Sequence, residues 1–244
     1  MRGMVAFRQN DSIGNLIGWW ELAGVTVPVS DQKAAWLAPS AQMQTEPARV
    51  RSEKTGSQGE MPGTLAEFLE WRRSSAEVPE AAWPGSRILP EPPSDIGIMV
   101  ISDVPDGDDM AAGTLLSGST GKLFDRMMRS IGLEREKLYL CSLGATRPPG
   151  GLLHASSAQM LAKIMHHHIA LAAPTKLLLL GDKTSRALLS ADAGGGRGKL
   201  HSVNHAHGTV SAIATFHPRF LMRQPAAKAE CWKDLQIFMK EACS

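Results

Sequence analysis

Four short segments of this chain carry side chains that can hold or move charge: Asp103-Val104-Pro105, Ser142 through Arg147-Pro148-Pro149, Gly181-Asp182, and His217-Pro218-Arg219. An acid, a hydroxyl, an arginine and an imidazole can together steer water and stabilise a leaving group as charge develops on it. Asp103 and His217 are the acid and the imidazole of that set. Each also has a plain reading. Asp103 can be a turn residue, with Asp106, Asp108 and Asp109 crowding nearby, and His217 a strand-end histidine satisfied by backbone. The chemistry therefore depends on whether these side chains meet.

The elements preceding the four segments argue that they do. Residues 96–102, 138–143, 176–180 and 210–216 are short apolar runs that read as strands, and 121–131, 156–171, 182–189 and 226–242 show helical spacing of apolar residues. Alternating strands and helices predict an α/β fold: three α/β/α layers around a central four-stranded parallel sheet with right-handed crossovers. In open parallel sheets the ligand crevice lies beyond the carboxyl ends of the strands. Each reactive segment follows a strand, so all four should share one rim. The acid and the imidazole are expected to face each other across a cleft.

Residues 1–95 have a different texture. Residues 11–24 read as a short helix with Ile13, Leu16, Ile17 and Trp20 on one face, and 38–62 mix Pro, Ser, Gln, Glu and Gly without apolar period. A second helix is expected over 64–74, where Thr64 and Glu67 stand at capping-box spacing. Pro79, Pro84, Pro90, Pro92 and Pro93 then mark an extended connector. The expected division is a helical extension with a Pro-rich linker over 1–95 and an α/β domain over 96–244.

Composition excludes several classes. With 43% hydrophobic and 20% charged residues the 244-residue chain is not wholly disordered, and a net charge of +2 tolerates a polyanion without demanding one. Neither a membrane-spanning run nor a signal-peptide apolar region is evident, and Cys141, Cys231 and Cys243 form no CxxC pair. A cytoplasmic protein is expected. His166-His167-His168 read as solvated helix surface, because consecutive helical residues face three directions and cannot chelate one ion. His201, His205 and His207, with Arg197, Lys199 and Asn204, read as a Gly-rich loop, either a flexible surface loop or one that contacts phosphate. Leu200 follows Lys199 where a phosphate loop needs Ser or Thr, so ATP is not expected.

Several motifs recur in a fixed order. Gly113-Thr114-Leu115-Leu116-Ser117-Gly118-Ser119-Thr120-Gly121 is followed by Leu123-Phe124-Asp125, then Ile131-Gly132-Leu133-Glu134-Arg135, Tyr139 to Pro149, and Leu179-Leu180-Gly181-Asp182. Phe216-His217-Pro218-Arg219 closes the series, with Arg223, Pro225, Lys228, Trp232 and Asp234-Leu235 behind it. Taken together these resemble the family-four uracil-DNA glycosylases over about three fifths of the chain. The resemblance implies hydrolysis of the N-glycosidic bond of uracil, or a related deaminated base, in DNA. The alternative is a degenerate superfamily member that binds single-stranded or damaged nucleic acid without cutting it.

The resemblance also assigns roles. Asp103 stands for the acid that directs water or supports the sugar cation, and His217 for the donor to the departing base. Val104, Pro105, Leu116 and Ser142 would contact the base, with Leu116 in place of a stacking phenylalanine and Ser142 in place of an edge-reading asparagine. Arg147, Arg219, Phe220 and Arg223 would contact DNA, Phe220 with Leu221 as a wedge. The implied partner is uracil-containing or single-stranded DNA, bound by a monomer. The family's iron-sulfur cluster needs four cysteines, and Thr146 stands at the third position, so no cofactor and no metal are expected. Purified protein should accordingly show no broad absorption band in the visible blue; such a band would overturn that expectation.

Overall fold

The computed structural model describes residues 61–92, 95–189 and 196–240, which belong to a compact unit spanning Gln58–Ser244. The helix expected over 11–24, nearly all of the linker at 38–62, and Cys243 lie outside the described residues. In chain order the elements are α1 (Leu65–Ser74), β1 (Ile98–Ser102), α2 (Gly107–Ala112), α3 (Gly118–Ser130), β2 (Leu138–Ser142), α4 (Ala155–Ala172), β3 (Lys176–Leu180), α5 (Asp182–Leu188), β4 (Leu200–His205), β5 (Gly208–Thr215), α6 (Pro218–Arg223) and α7 (Lys228–Lys240).

Local sequence explains most of these limits. The side chain of Thr64 accepts from the Glu67 N–H and starts α1, as its spacing predicts. Asp106 and Asp109 form a reciprocal capping box at α2, and Gly113, in the left-handed region at φ 70°, ends it. Pro218 occupies the first turn of α6, where its missing N–H costs nothing. Neither α2 nor α6 was anticipated, although both carried these signals.

The strand order is β2-β1-β3-β5-β4. The pairs β1–β2, β1–β3 and β3–β5 are parallel, which gives the four expected parallel strands. A fifth strand corrects the expected count: β4 pairs antiparallel to β5 through a tight hairpin, from Leu200 opposite Ile213 to His205 opposite Gly208. The segment read as a Gly-rich loop is thus the sheet's edge. Its strand pattern was hidden because His201 fills an inward position beside Val203, so polar residues stand on both faces of the alternation.

Alternating side chains split the core in two, as expected for a sheet covered on both faces. Met99, Ile101, Tyr139, Cys141, Leu177 and Leu179 pack with α1 and α4 through Phe68, Leu161, Met165 and Ile169. Val100, Leu138, Leu178, Leu180 and Ile213 pack with α3, α6 and α7 through Phe124, Met128, Leu221, Leu235 and Phe238. The proposed extension therefore contributes a core helix, since Phe68 and Leu69 are buried in the first cluster.

This packing also corrects the triple histidine. His168 is fully buried and bonds the Tyr139 hydroxyl at 2.8 Å through Nε2, while His167 Nε2 lies 2.8 Å from the Pro62 carbonyl. The three rings do face different ways, but α4 turns one of them into the core. Phe124 is completely buried where α3 meets the sheet, so Phe124→Ala should destabilise the protein by about 3–5 kcal/mol, measured by denaturant unfolding.

Candidate active site

The parallel strands bring the carboxyl ends of β1, β3 and β5 side by side, with β3 in the middle. Ser102 ends β1 and Asp103 follows it; Gly181 follows β3; His217 follows β5 by two residues. A side chain must cross over β3 to connect the outer two. Gly181 permits that crossing. It sits at φ 89°, and a Cβ built on it would stand 3.2 Å from the His217 Cβ, tighter than the neighbour can accept without shifting. Its N–H donates to the Thr215 carbonyl at 2.8 Å, holding the two strand ends together.

Across that gap His217 Nε2 lies 3.0 Å from Ser102 Oγ and 3.7 Å from Asp103 Oδ1. The other ring nitrogen is committed: Nδ1 accepts from the Arg219 backbone N–H at 3.1 Å and caps α6. An accepting Nδ1 carries no proton, so a neutral ring holds its proton on Nε2, aimed at Ser102 and Asp103. Burial is the main reason the ring stays neutral. It pulls the His217 pKa down from 6.5 to about 4, with the Arg219 charge pulling the same way and Asp103 and Asp106 opposing.

Asp103 is mostly buried, and its Oδ1 has no hydrogen-bond partner among the described residues. An unpaired buried carboxylate oxygen is costly and is free to accept from water or from a hydroxyl. Arg219 closes the site from above. Its guanidinium lies 3.8 Å from Asp103 Oδ1 and 3.4 Å from Asp106 Oδ2, and donates to the Val104 carbonyl at 3.3 Å.

The expected open cleft between acid and imidazole is absent. A planar base held between two groups needs about 7 Å, two van der Waals contacts of about 3.5 Å each, and the pair stands at roughly half that. Val104 and Pro105 are buried as the wall beneath Arg219. Arg147 reaches the same wall, with Nη1 3.5 Å from the Pro105 carbonyl.

Other expected site residues are turned elsewhere. Ser142 is buried and donates its hydroxyl to the Gly144 carbonyl at 2.8 Å. Leu116, at φ 52°, is 3% exposed within the second core. Phe220 stacks on Phe216 at 5.0 Å, and Arg197 covers Phe216 with its guanidinium 3.4 Å from the ring centroid. Leu221 is buried too, so the exposed apolar side chain of α6 is Met222. Arg223 is exposed on the same helix.

Sequence reasoning missed Ser102, and at Gly181, which it placed on the rim, it missed the gap that lets His217 cross. Ser102 was visible as a hydroxyl closing an apolar run, and Gly181 as the residue between strand and helix.

Among the described residues, Cys141 and Cys231 do not fit an iron-sulfur cluster. Cys141 and Cys231 belong to the two different core clusters, one on each face of the sheet, and Cys141 makes a 3.6 Å contact with the Val100 carbonyl. Burial pushes the Cys141 thiol up to about 12, which disfavours the thiolate a metal needs. The Thr146 hydroxyl donates to the Pro84 carbonyl at 3.1 Å. Among the described residues no cluster of three metal-ligating side chains occurs.

A family model described as the Uracil DNA glycosylase superfamily matches residues 90–236. A type-4 uracil-DNA glycosylase of Pyrobaculum aerophilum is 23% identical over 150 residues, spanning 59% of this chain and 76% of that protein. Another, from Archaeoglobus fulgidus, is 23% identical over 146 residues, spanning 57% of this chain and 73% of its own.

The depressed His217 pKa links the site to stability. Below about pH 6.5 the unfolded chain protonates this ring before the folded protein does, so its contribution is complete above 6.5 and is lost as pH falls toward 4. The loss amounts to roughly 3 kcal/mol. Nitrogen NMR should show His217 neutral at pH 6 with its proton on Nε2, and His217→Asn should flatten the fall in unfolding free energy between pH 6.5 and 4 by that order.

Proposed function

The chain belongs to the Uracil DNA glycosylase superfamily, and on that premise we propose that it hydrolyses the N-glycosidic bond of uracil, or a related deaminated base, in DNA. The observation that carries the proposal is the meeting of an Nε2–H donor and a carboxylate oxygen that accepts no hydrogen bond among the described residues, 3.7 Å apart at the carboxyl ends of two parallel strands.

A stacked base is out of reach, so the nucleotide must first be extruded, and a poorly paired uracil gives up less in leaving the helix. The bond between the sugar and the base nitrogen then breaks, with its electron pair departing on the base while positive charge builds on the sugar. His217 Nε2–H leaves Ser102 and donates to the base carbonyl where the negative charge collects. Because the imidazole is neutral, it stabilises that charge as a dipole and keeps its proton. Asp103 faces the cationic sugar and holds the water that adds to it, taking the water's proton through Oδ1 as the new carbon–oxygen bond forms, and the base leaves as an anion that solvent protonates.

Substrate must part the contacts that now close the site. The base displaces Ser102 from Nε2, and Arg219 moves from Asp103 and Asp106 to a DNA phosphate. Val104 and Pro105 line the entrance, while Arg147 and Arg223 add positive charge beside the strand. Ser142 reads the base edge only after releasing the Gly144 carbonyl. Leu116 supports the pocket from the core, and Phe220 braces α6. We place the protein in the cytoplasm, acting as a monomer on uracil-containing or single-stranded DNA. Among the described residues no helix is long and apolar enough to cross a membrane.

The inward turn of Ser142 and Leu116, together with the pairing of Arg219 to Asp103, also favours a second reading: binding of single-stranded or damaged nucleic acid without cleavage. One assay separates the two. Labelled single- and double-stranded uracil oligonucleotides, incubated with protein and then treated with alkali, should show strand scission. His217→Ala should slow it by about 100- to 1000-fold, and Asp103→Asn by about 100- to 10,000-fold. Salt-sensitive binding with no scission of any deaminated substrate would leave only the binder. In either case Arg219→Ala should weaken binding evenly across sequences and reduce the salt slope by about 1.

A further inference from the structure

Beneath the loop that follows β2 lies a buried ion pair supplied by a segment outside the sheet. Arg72, at the end of α1, is 1% exposed and donates to Glu80 Oε1 at 3.0 Å. The same nitrogen reaches the carbonyls of Ser142, at 3.3 Å, and Leu143. Glu80, equally buried, accepts from the Ala145 N–H at 3.0 Å. Pro84 accepts from the Thr146 hydroxyl, and Ile88 N–H donates to the Ala145 carbonyl at 2.6 Å. Trp83 covers Gly144: a Cβ there would stand 3.1 Å from the indole. Arg87 ties the segment back on itself by donating to the Arg72 and Ser75 carbonyls, each at 2.7 Å. Each residue from Ser142 to Thr146 is thus held by something between Arg72 and Ile88.

Burying two charges costs several kcal/mol each, and a pair is net stabilising only when its geometry and remaining hydrogen bonds are good. Here Arg72 Nε and Glu80 Oε2 are buried with no hydrogen-bond partner among the described residues. The surroundings offer little compensation, since burial raises the pKa of both Tyr139 and Cys141 and lowers that of His168, leaving those neighbours neutral. Well-packed apolar side chains would serve stability as well or better. What apolar side chains cannot do is satisfy the carbonyls of residues 142 and 143 and the N–H of 145, which no strand partner meets.

The loop so held enters the rim of the candidate site. Leu143 N donates to the Ser102 carbonyl and Gly144 N to the Asp103 carbonyl, so its backbone is bonded directly to the residue carrying the proposed water-directing acid. We propose that residues 72–88 act as a strap that sets the substrate-contacting loop 142–147, with Arg72 and Glu80 as positioning residues for base recognition. The recognition role rests on the glycosylase reading above; the strap itself does not.

The test uses the full-length chain with Arg72→Met/Glu80→Met, which removes both charges and leaves neither orphaned. We expect it to fold with a Tm lowered by the loop backbone groups left without partners, while amide hydrogen exchange at Gly144–Thr146 speeds at least tenfold and KM for a uracil oligonucleotide rises about tenfold with a smaller change in kcat. Arg72→Lys keeps the charge but lacks the fork, and should fall between the two; it serves as the test if the double variant does not fold. Unchanged exchange in a folded variant overturns the strap, whether or not the wild type cuts DNA. Faster exchange with unchanged KM overturns the recognition role. If the wild type cuts nothing, only the reaction reading fails, and oligonucleotide affinity replaces KM as the measure, with unchanged affinity overturning recognition.

Discussion

The candidate site depends on one close approach, made over the carboxyl end of β3. Strands β1 and β5 are not neighbours, and an acid after one and an imidazole after the other would ordinarily be separated by whatever side chain stands on the strand between them. Gly181 has none. The imidazole of His217 therefore crosses above its backbone and reaches Ser102 and Asp103. The crossing buries the ring, and burial makes its neutral form the stable one. Position and protonation state thus share a cause: the ring is neutral because it lies where it can act.

Around that contact the site is closed by its own side chains. Arg219 is held by two carboxylates and a carbonyl, and Ser102 occupies the hydrogen-bonding direction of Nε2. Binding energy from DNA phosphates would have to exceed what these contacts supply before a base could enter, which couples recognition of the strand to opening of the pocket. Such coupling favours substrates that offer both phosphates and an extruded base over a free nucleobase.

The loop after β2 is held by side chains and backbone from outside the sheet. Thr146 bonds Pro84, and the neighbouring backbone is held by Arg72, Glu80 and Ile88. Residues 61–92 are consequently not a detachable prefix to the sheet, since α1 and the turn after it enter the same core and the same rim as the residues that would do the chemistry.

Much of this was legible in the order of residues. Apolar runs and helical spacing located the four parallel strands and the helices between them, because burial on two faces of a sheet leaves a direct mark on sequence. Asp103 and His217 could be singled out because topology makes every residue after a parallel strand suspect. Other features left no such mark. Strand β4 was masked by an inward histidine, and Leu116 and Ser142 stood at the expected positions with their side chains turned inward. Met222 took the exposed place imagined for Phe220, since α6 rotates its phenylalanine onto Phe216. The partnership of Arg72 with residues 70 positions later could not be seen at all. Sequence determines which residues lie on which face of which element, since that is a matter of local period. Which charges meet, and how wide the space between them is, was decided only by tertiary packing, because a long-range contact depends on the separation of elements in space and leaves no period along the chain.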